Sequence, residues 1–249
     1  MRGVIMLPLA LLLLAQLLLL GLMSLAWNLV ALLLHPLLPH ERGLAVGRAG
    51  IAYGYRFYWS VVAPLGMLRL DASALDALRD EPRLIIVANH PSLLDALLLV
   101  ARLPKSACIM KASLMHNPFL GAGARLARYI RNDSTRSMVR LAVEDLRRGG
   151  QLVVFPEGTR TTQAPINPFR PGVTLIAKLA AAPIQTVFID TNSPYLGKGW
   201  PLWKLPPLPI AFSVRLGERF APADDASALL EEIERSVAAG VKPRTATRQ

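Results

Sequence analysis

Between Arg2 and Glu41 the chain carries no Lys, Arg, Asp or Glu, and residues 4–34 are mainly Leu, Ala, Val and Met, with polar interruptions at Gln16, Ser24 and Asn28. A run of that length has one ordinary use, a membrane segment. A spanning helix needs about 20 apolar residues, whereas the apolar region of an excised signal is only roughly 7 to 15 long, so an uncleaved anchor over residues 1–40 is the better reading. The stretch also exceeds what one untilted span requires. A break near residues 24–28 would turn it into a helical hairpin lying in one leaflet, and the sequence leaves both arrangements open.

Charge placement orients the chain. One Arg precedes the apolar run and Arg42, Arg48 and Arg56 follow it, so the positive-inside tendency puts the remainder on the cytoplasmic side of an inner membrane. The lone Cys108 agrees, because one cysteine builds no internal disulfide framework. A net charge of +11 and a pI near 10.5 call for anionic partners. Membrane lipids answer that better than nucleic acid, since no zinc-finger spacing, RNP-type motif or basic-aromatic run is present. His35, His40 and His116 lack metal-ligand spacing with one another. No metal and no bound cofactor are expected. Residues 101–150 hold ten Lys or Arg against three acidic residues, a basic stretch suited to guiding phosphate or simply to forming a solvated face.

Behind the anchor, residues 44–70 carry Tyr53, Tyr55, Phe57, Tyr58 and Trp59 among scattered Arg, a composition suited either to the headgroup zone or to an ordinary packing helix. Strands are expected at 84–88, 107–111, 151–155, 184–189 and 211–216, and helices at 91–101, 134–148, 173–181 and 226–238. The helix at 134–148 shows the apolar spacing i, i+3, i+4, i+7 in Val139, Ala142, Val143 and Leu146, and Gly149-Gly150 stops it. Strands alternating with helices imply an α/β fold with a mostly parallel central sheet flanked by helices. The expected organisation is an N-terminal anchor that is one helix or a helical hairpin, connecting helices over 41–80, the α/β domain over 81–240 and a disordered basic tail over 241–249. The proline-rich segment 200–209 is a loop that brings Trp200 and Trp203 to the membrane surface.

Two polar blocks end strands of this sheet, where an α/β fold presents reactive side chains. The first is Asn89-His90-Pro91-Ser92-Leu93-Leu94-Asp95, the second Phe155-Pro156-Glu157-Gly158-Thr159-Arg160. Pro91 as first helical residue would place His90 at the N-cap. With His90 outside the regular helix, Asp95 can hold its imidazole while the other ring nitrogen takes a proton from a hydroxyl. The plainer alternative is that His90 caps a helix and Asp95 complements its dipole. Cys108, in an apolar strand, reads as core rather than nucleophile.

Taken together, the two blocks resemble the signature of the glycerolipid acyltransferase family, which contains the lysophosphatidic acid acyltransferases (1-acyl-sn-glycerol-3-phosphate acyltransferases). Further matches are Lys111-Ala112-Ser113-Leu114 leading to Asn117-Pro118-Phe119-Leu120-Gly121, then Tyr129-Ile130-Arg131-Asn132, Phe169-Arg170-Pro171-Gly172, and the strand opening at Pro183-Ile184. The resemblance implies transfer of a fatty acyl group from acyl-CoA or acyl-ACP to the free hydroxyl of 1-acyl-glycerol-3-phosphate, giving phosphatidic acid in phospholipid biosynthesis. It implies His90 as general base, Asp95 as its support, and Arg131, Glu157, Gly158, Thr159 and Arg160 in acceptor binding. Partners would be membrane lipids, the lysophospholipid and acyl-CoA or acyl carrier protein. Another lysolipid acceptor, such as a lyso-aminolipid, and a non-catalytic binder of anionic lipid are the alternatives.

Overall fold

The structure, a computed structural model, describes residues 2–242, with side chains from residue 7 on. Of the expected tail, 243–249 lies outside the described residues. In chain order the elements are α1 (Arg2–Leu37), α2 (His40–Val62), β1 (Leu68–Asp71), β2 (Leu84–Ala88), α3 (Asp95–Arg102), β3 (Ser106–Met110), α4 (Gly121–Leu126), β4 (Ile130–Arg131), α5 (Thr135–Arg147), β5 (Gln151–Val154), α6 (Val173–Ala180), β6 (Ile184–Thr191), β7 (Ile210–Phe220) and α7 (Ala226–Gly240).

The seven strands form one sheet in the order β1-β7-β6-β2-β5-β3-β4. Every neighbouring pair is parallel except β6 with β7. That exception has a local cause: the connection over 192–209 contains no crossover helix, so the chain returns in the opposite direction. The two edge strands, β1 and β4, escape a reading by apolar runs because they are four and two residues long, and the alternating Leu68-Arg69-Leu70-Asp71 carries little signal.

Both faces of the sheet are covered, and β2 shows it most plainly. All five of its residues are buried. Leu84, Ile86 and Ala88 point into a core shared with α1, α2 and α3, and Ile85 and Val87 into a second core under α5, α6 and α7. The period-two alternation of a strand thus feeds two apolar cores at once.

α1 is continuous over its 36 residues, roughly 54 Å at the rise of an α-helix, so the break considered near residues 24–28 is absent. The polar interruptions bind the domain instead. Asn28 Oδ1 accepts the backbone N–H groups of Ala122 (2.7 Å) and Gly123 (3.1 Å) at the start of α4, and Gln16 Nε2 meets Met67 Sδ at 3.5 Å. Residues 7–37 are long and apolar enough to cross a membrane. Leu7, Leu11, Leu14, Leu18, Leu22, Leu29 and Leu33 remain exposed at helical spacing, which makes this stripe the candidate membrane-facing surface.

α2 divides its aromatic residues between two jobs. Tyr58 is buried, with Tyr55 and Trp59 packed on the same core, while Tyr53 and Phe57 are exposed. The helix approaches α4 so closely that a Cβ on Gly47 would collide with the backbone of Ala127.

Arg48, counted above among the charges that orient the chain, is 4% exposed and takes no part in a headgroup layer. Its guanidinium donates to Ala127 O (3.2 Å), Lys105 O (2.8 Å) and Asp145 Oδ1 (2.6 Å), fastening α2 to the α/β domain. Burial pushes the Asp145 carboxyl above its ordinary range, and Arg48 offsets this. Removing one partner leaves an uncompensated buried charge. Arg48→Ala is therefore expected to cost about 3–5 kcal/mol, while Arg48→Met combined with Asp145→Leu costs much less. Thermal unfolding of the two variants in one detergent checks this.

Candidate active site

The two polar blocks come together because β2 and β5 are parallel neighbours in the register Val87↔Val154. Both blocks leave the sheet at the same carboxyl end, where α/β sheets bind ligands. A buried carboxylate joins them. Glu157 Oε1 accepts the backbone N–H of His90 (2.8 Å) and the hydroxyl of Thr161 (2.8 Å), and Oε2 accepts the N–H of Asn167 (2.9 Å). The N–H of Thr161 donates back to His90 O at 2.7 Å. The backbone of His90 is thereby held on both sides by the second block and the Thr161 that follows it.

His90 Nδ1 lies 2.9 Å from Asp95 Oδ2, and the Phe155 ring stacks on the imidazole with centroids 4.1 Å apart. Sequence spacing places α3 from residue 91, yet the helix begins at Asp95. Residues 91–94 form a turn because side chains capture their backbone donors: Asp95 Oδ2 takes the N–H of Ser92 (2.7 Å) and Ser92 Oγ that of Leu94 (3.3 Å). Local side-chain bonds of this kind compete with helix formation. The turn carries His90 off the helix and brings its ring back over Asp95, a contact that positions five apart on a regular helix do not make.

Asp95 is fully buried and His90 18% exposed. Burial pushes the Asp95 carboxyl up from its ordinary value, while the His90 bond and the Ser92 N–H pull it down. With Nδ1 engaged, Nε2 remains for a ligand. The pair suits general-base chemistry on a hydroxyl.

His90 lines a cavity of about 650 Å³, within the range of small-molecule sites. Its walls are mostly apolar and come from α1 (Leu20, Met23), α2 (Ile51, Tyr55), α3 (Leu97, Val100) and the β3 end (Ile109, Met110). Polar lining is confined to a few groups, among them Lys111, Asn132, Thr159 and Arg170. Neither Lys111 nor Arg170 pairs with a carboxylate among the described residues. Arg170 lies flat against Gly158: a Cβ there would sit 2.6 Å from Arg170 Nε, and the glycine has φ +68°. Gly158 therefore serves the approach of a guanidinium as well as the turn.

The residues singled out from sequence for acceptor binding separate in space. Gly158 and Thr159 line the cavity, whereas Glu157, Arg160 and Arg131 are not among its lining residues. Glu157 is 3% exposed and saturated by protein donors. Arg160 Nη1 donates to Leu196 O (2.9 Å) and Gly197 O (3.0 Å). Arg131 pairs with Asp133 at 3.3 Å on the surface. Much of the basic stretch 101–150 is likewise committed internally, Arg102 to Asp76, Lys105 to Asp80 and Arg148 to Glu41. Among the described residues no three His, Cys, Asp or Glu side chains converge as metal ligands.

A family model described as acyltransferase matches residues 69–190, a span that contains both blocks. Residues 69–190 belong to the acyltransferase family. Among curated members the chain is 35% identical over 123 residues to a putative 1-acyl-sn-glycerol-3-phosphate acyltransferase (acl-2) of Caenorhabditis elegans, covering 46% of this chain and 44% of that protein. It is 25% identical over 191 residues to the 1-acyl-sn-glycerol-3-phosphate acyltransferase of Pseudomonas aeruginosa, covering 74% and 72%. The chain spans about half the length of the nematode relative. The crystal structure of the 1-acyl-sn-glycerophosphate acyltransferase of Thermotoga maritima superposes with a TM-score of 0.68 over 96% of each chain at 22% identity, which shows a shared fold.

In the sequence Lys111, Arg170 and Asn89 stand only as members of matching motifs with no role of their own; the Asn89 amide pairs with the backbone of Ile189 on β6 (2.9 and 2.7 Å). A basic residue one position past a strand end was the available signal for Lys111. Cys108, also in the cavity wall, is buried, and burial raises its thiol to about 12. Since the thiolate is the reactive form, native protein at pH 8 is expected to resist a thiol-specific chromogenic reagent and to react fully once denatured. Glu157→Gln turns an acceptor into a donor facing backbone N–H groups. It should cost about 1–3 kcal/mol in thermal unfolding and lower any His90-dependent activity.

Proposed function

We propose that this chain is an O-acyltransferase that moves a fatty acyl group from acyl-CoA or acyl-ACP to the free hydroxyl of 1-acyl-glycerol-3-phosphate, giving phosphatidic acid, with the site at the cytoplasmic face of an inner membrane. The observation that carries the reading is the His90–Asp95 pair at an apolar cavity whose lining also holds Lys111 and Arg170. An acyl chain needs the apolar wall, a hydroxyl needs the base, and a phosphate needs the cations.

The proposed chemistry uses no cofactor. His90 Nε2 takes the proton as the acceptor oxygen attacks the thioester carbonyl, and the C–O bond forms. The carbonyl reforms as the C–S bond breaks, and the imidazolium returns the proton to the departing thiolate. Asp95 Oδ2, at 2.9 Å from Nδ1, fixes the tautomer and stabilises the transient imidazolium. No covalent acyl-enzyme is required. Phosphate reading is assigned to Arg170 and Lys111, since Arg160 is held by loop carbonyls and Arg131 by Asp133.

Acyl transfer by the full chain in detergent, with either donor and lysophosphatidic acid, tests the reaction. His90→Ala should lower turnover about a thousandfold. Transfer confined to a lyso-aminolipid would keep the chemistry and replace the acceptor, and no transfer to any acceptor by folded protein would leave a lipid-binding protein. Arg170→Ala and Lys111→Ala should each raise KM for lysophosphatidic acid about 10- to 100-fold, the scale of a lost charge-assisted hydrogen bond. Arg131→Ala should change it little; an equal or larger effect there would overturn the phosphate assignment.

A further inference from the structure

The loop over 192–209 joins β6 to β7 and is held at both ends. At its start it grips the His90 turn: Ser92 Oγ donates to Tyr195 O (2.9 Å) and the Leu93 N–H to Leu196 O (3.0 Å). Arg160, from the second polar block, donates to the carbonyls of Leu196 and Gly197. At its end the loop meets the α1 side of the molecule. The Ile210 N–H donates to Met67 O at 2.8 Å, and Met67 Sδ is the partner of Gln16 on α1. Trp200, Leu205 and Leu208 pack on the same core as Leu13 of α1.

The tip between these anchorages is bonded to itself yet exposes apolar side chains. The Lys204 N–H closes a turn onto Pro201 O at 3.0 Å, and Trp200 Nε1 donates to Lys204 O at 3.2 Å. Lys204 Nζ sits 5.0 Å over the Trp200 ring. With Trp200 used as the base, Trp203 projects with 82% of its surface exposed and Leu202 with 56%. A large aromatic held out in this way exposes apolar area that a lipid interface would cover. The segment 193–209 contains Lys198 and Lys204 and no acidic residue, which complements anionic headgroups.

We propose that this tip is a second membrane contact: Trp203 and Leu202 enter the headgroup–acyl boundary of an anionic lipid surface, with Lys198 and Lys204 at the phosphates. The lipid surface is continuous with the one met by the exposed leucine stripe of α1. Together the two contacts fix the tilt of the domain. Because the loop is bonded to Ser92, Leu93 and Arg160, the same contact holds the His90 turn and the cavity at the depth where a lysolipid acceptor resides. Arg160 is then a positioning residue, linking the second polar block to the membrane loop. The proposal rests on the membrane-anchor reading of α1 and on the acyl-transfer reading only for its kinetic arm.

The test uses the full chain in vesicles of phosphatidylethanolamine and phosphatidylglycerol. Trp203→Cys is labelled with an environment-sensitive fluorophore; native Cys108 is buried, so the folded protein takes the label at position 203. Glu231→Cys, on the exposed side of α7, serves as the water-facing control. The probe at 203 should show blue-shifted emission and be quenched most by lipids carrying a nitroxide at shallow depth, while the probe at 231 resembles free dye. Emission at 203 equal to that at 231, or a shift that appears only on adding an acidic acyl carrier protein, would overturn the proposal. In the kinetic arm, Trp203→Ala should raise KM for vesicle-borne lysophosphatidic acid about tenfold and leave kcat and the rate with a monomeric short-chain acceptor unchanged. Equal loss with both acceptors would make Trp203 a folding residue and overturn it. A quenched probe in a protein that acylates nothing would support the membrane contact and count against the acyl-transfer reading alone.

Discussion

The carboxylate of Glu157 is the interaction on which the site depends. It sits 67 residues from the backbone N–H it receives at His90, buried to 3% exposure, and protein donors satisfy both of its oxygens there. The parallel pairing of β2 and β5 makes the meeting possible by delivering two turns to one edge. Glu157 and Thr161, whose hydroxyl it accepts, convert that proximity into a fixed geometry, since Glu157 takes the N–H of His90 and the Thr161 N–H donates to its carbonyl. Phe155 then stacks on the ring whose backbone Glu157 holds. The second polar block is thus as much the scaffold of His90 as a surface for ligand.

The candidate membrane anchor and the cavity share the same elements. The inner side of α1 and α2 supplies part of the apolar cavity wall, and the outer side exposes leucines, Tyr53 and Phe57. A helix such as α1, with one face on an apolar cavity and the other forming the candidate membrane-facing surface, is apolar all round, which is why its sequence reads simply as a membrane segment. Arg48 and Asn28 are the exceptions that fasten this layer to the α/β domain, and each is a polar group satisfied across elements that no local pattern connects.

Long strands and amphipathic helices were legible in sequence because their periodicity is set by their own residues. Val139, Ala142, Val143 and Leu146 of α5 all fall in the core they were expected to meet, and β2, β3, β5 and β6 appear within one or two residues of their expected places. β1 and β4 were not legible, since strands this short exist through pairing at an edge rather than through a pattern. The start of α3 was misplaced for a related reason: Pro91 is compatible with a helical first turn, but Ser92 and Asp95 side chains claim the donors there.

The chemistry of the residue types was fixed by the amino-acid order itself. An apolar segment without charge, two polar blocks each following a strand, and an excess of cations follow from composition and spacing alone. Which cations face the cavity was decided only by the tertiary structure. Arg131, Arg160, Lys111 and Arg170 are equivalent as charges in a sequence, yet Asp133 and the carbonyls of Leu196 and Gly197 hold the first two, while Lys111 and Arg170 line the cavity that His90 also lines. A guanidinium goes where acceptors compensate its desolvation, and those acceptors come from parts of the chain that only the folded sheet brings within reach.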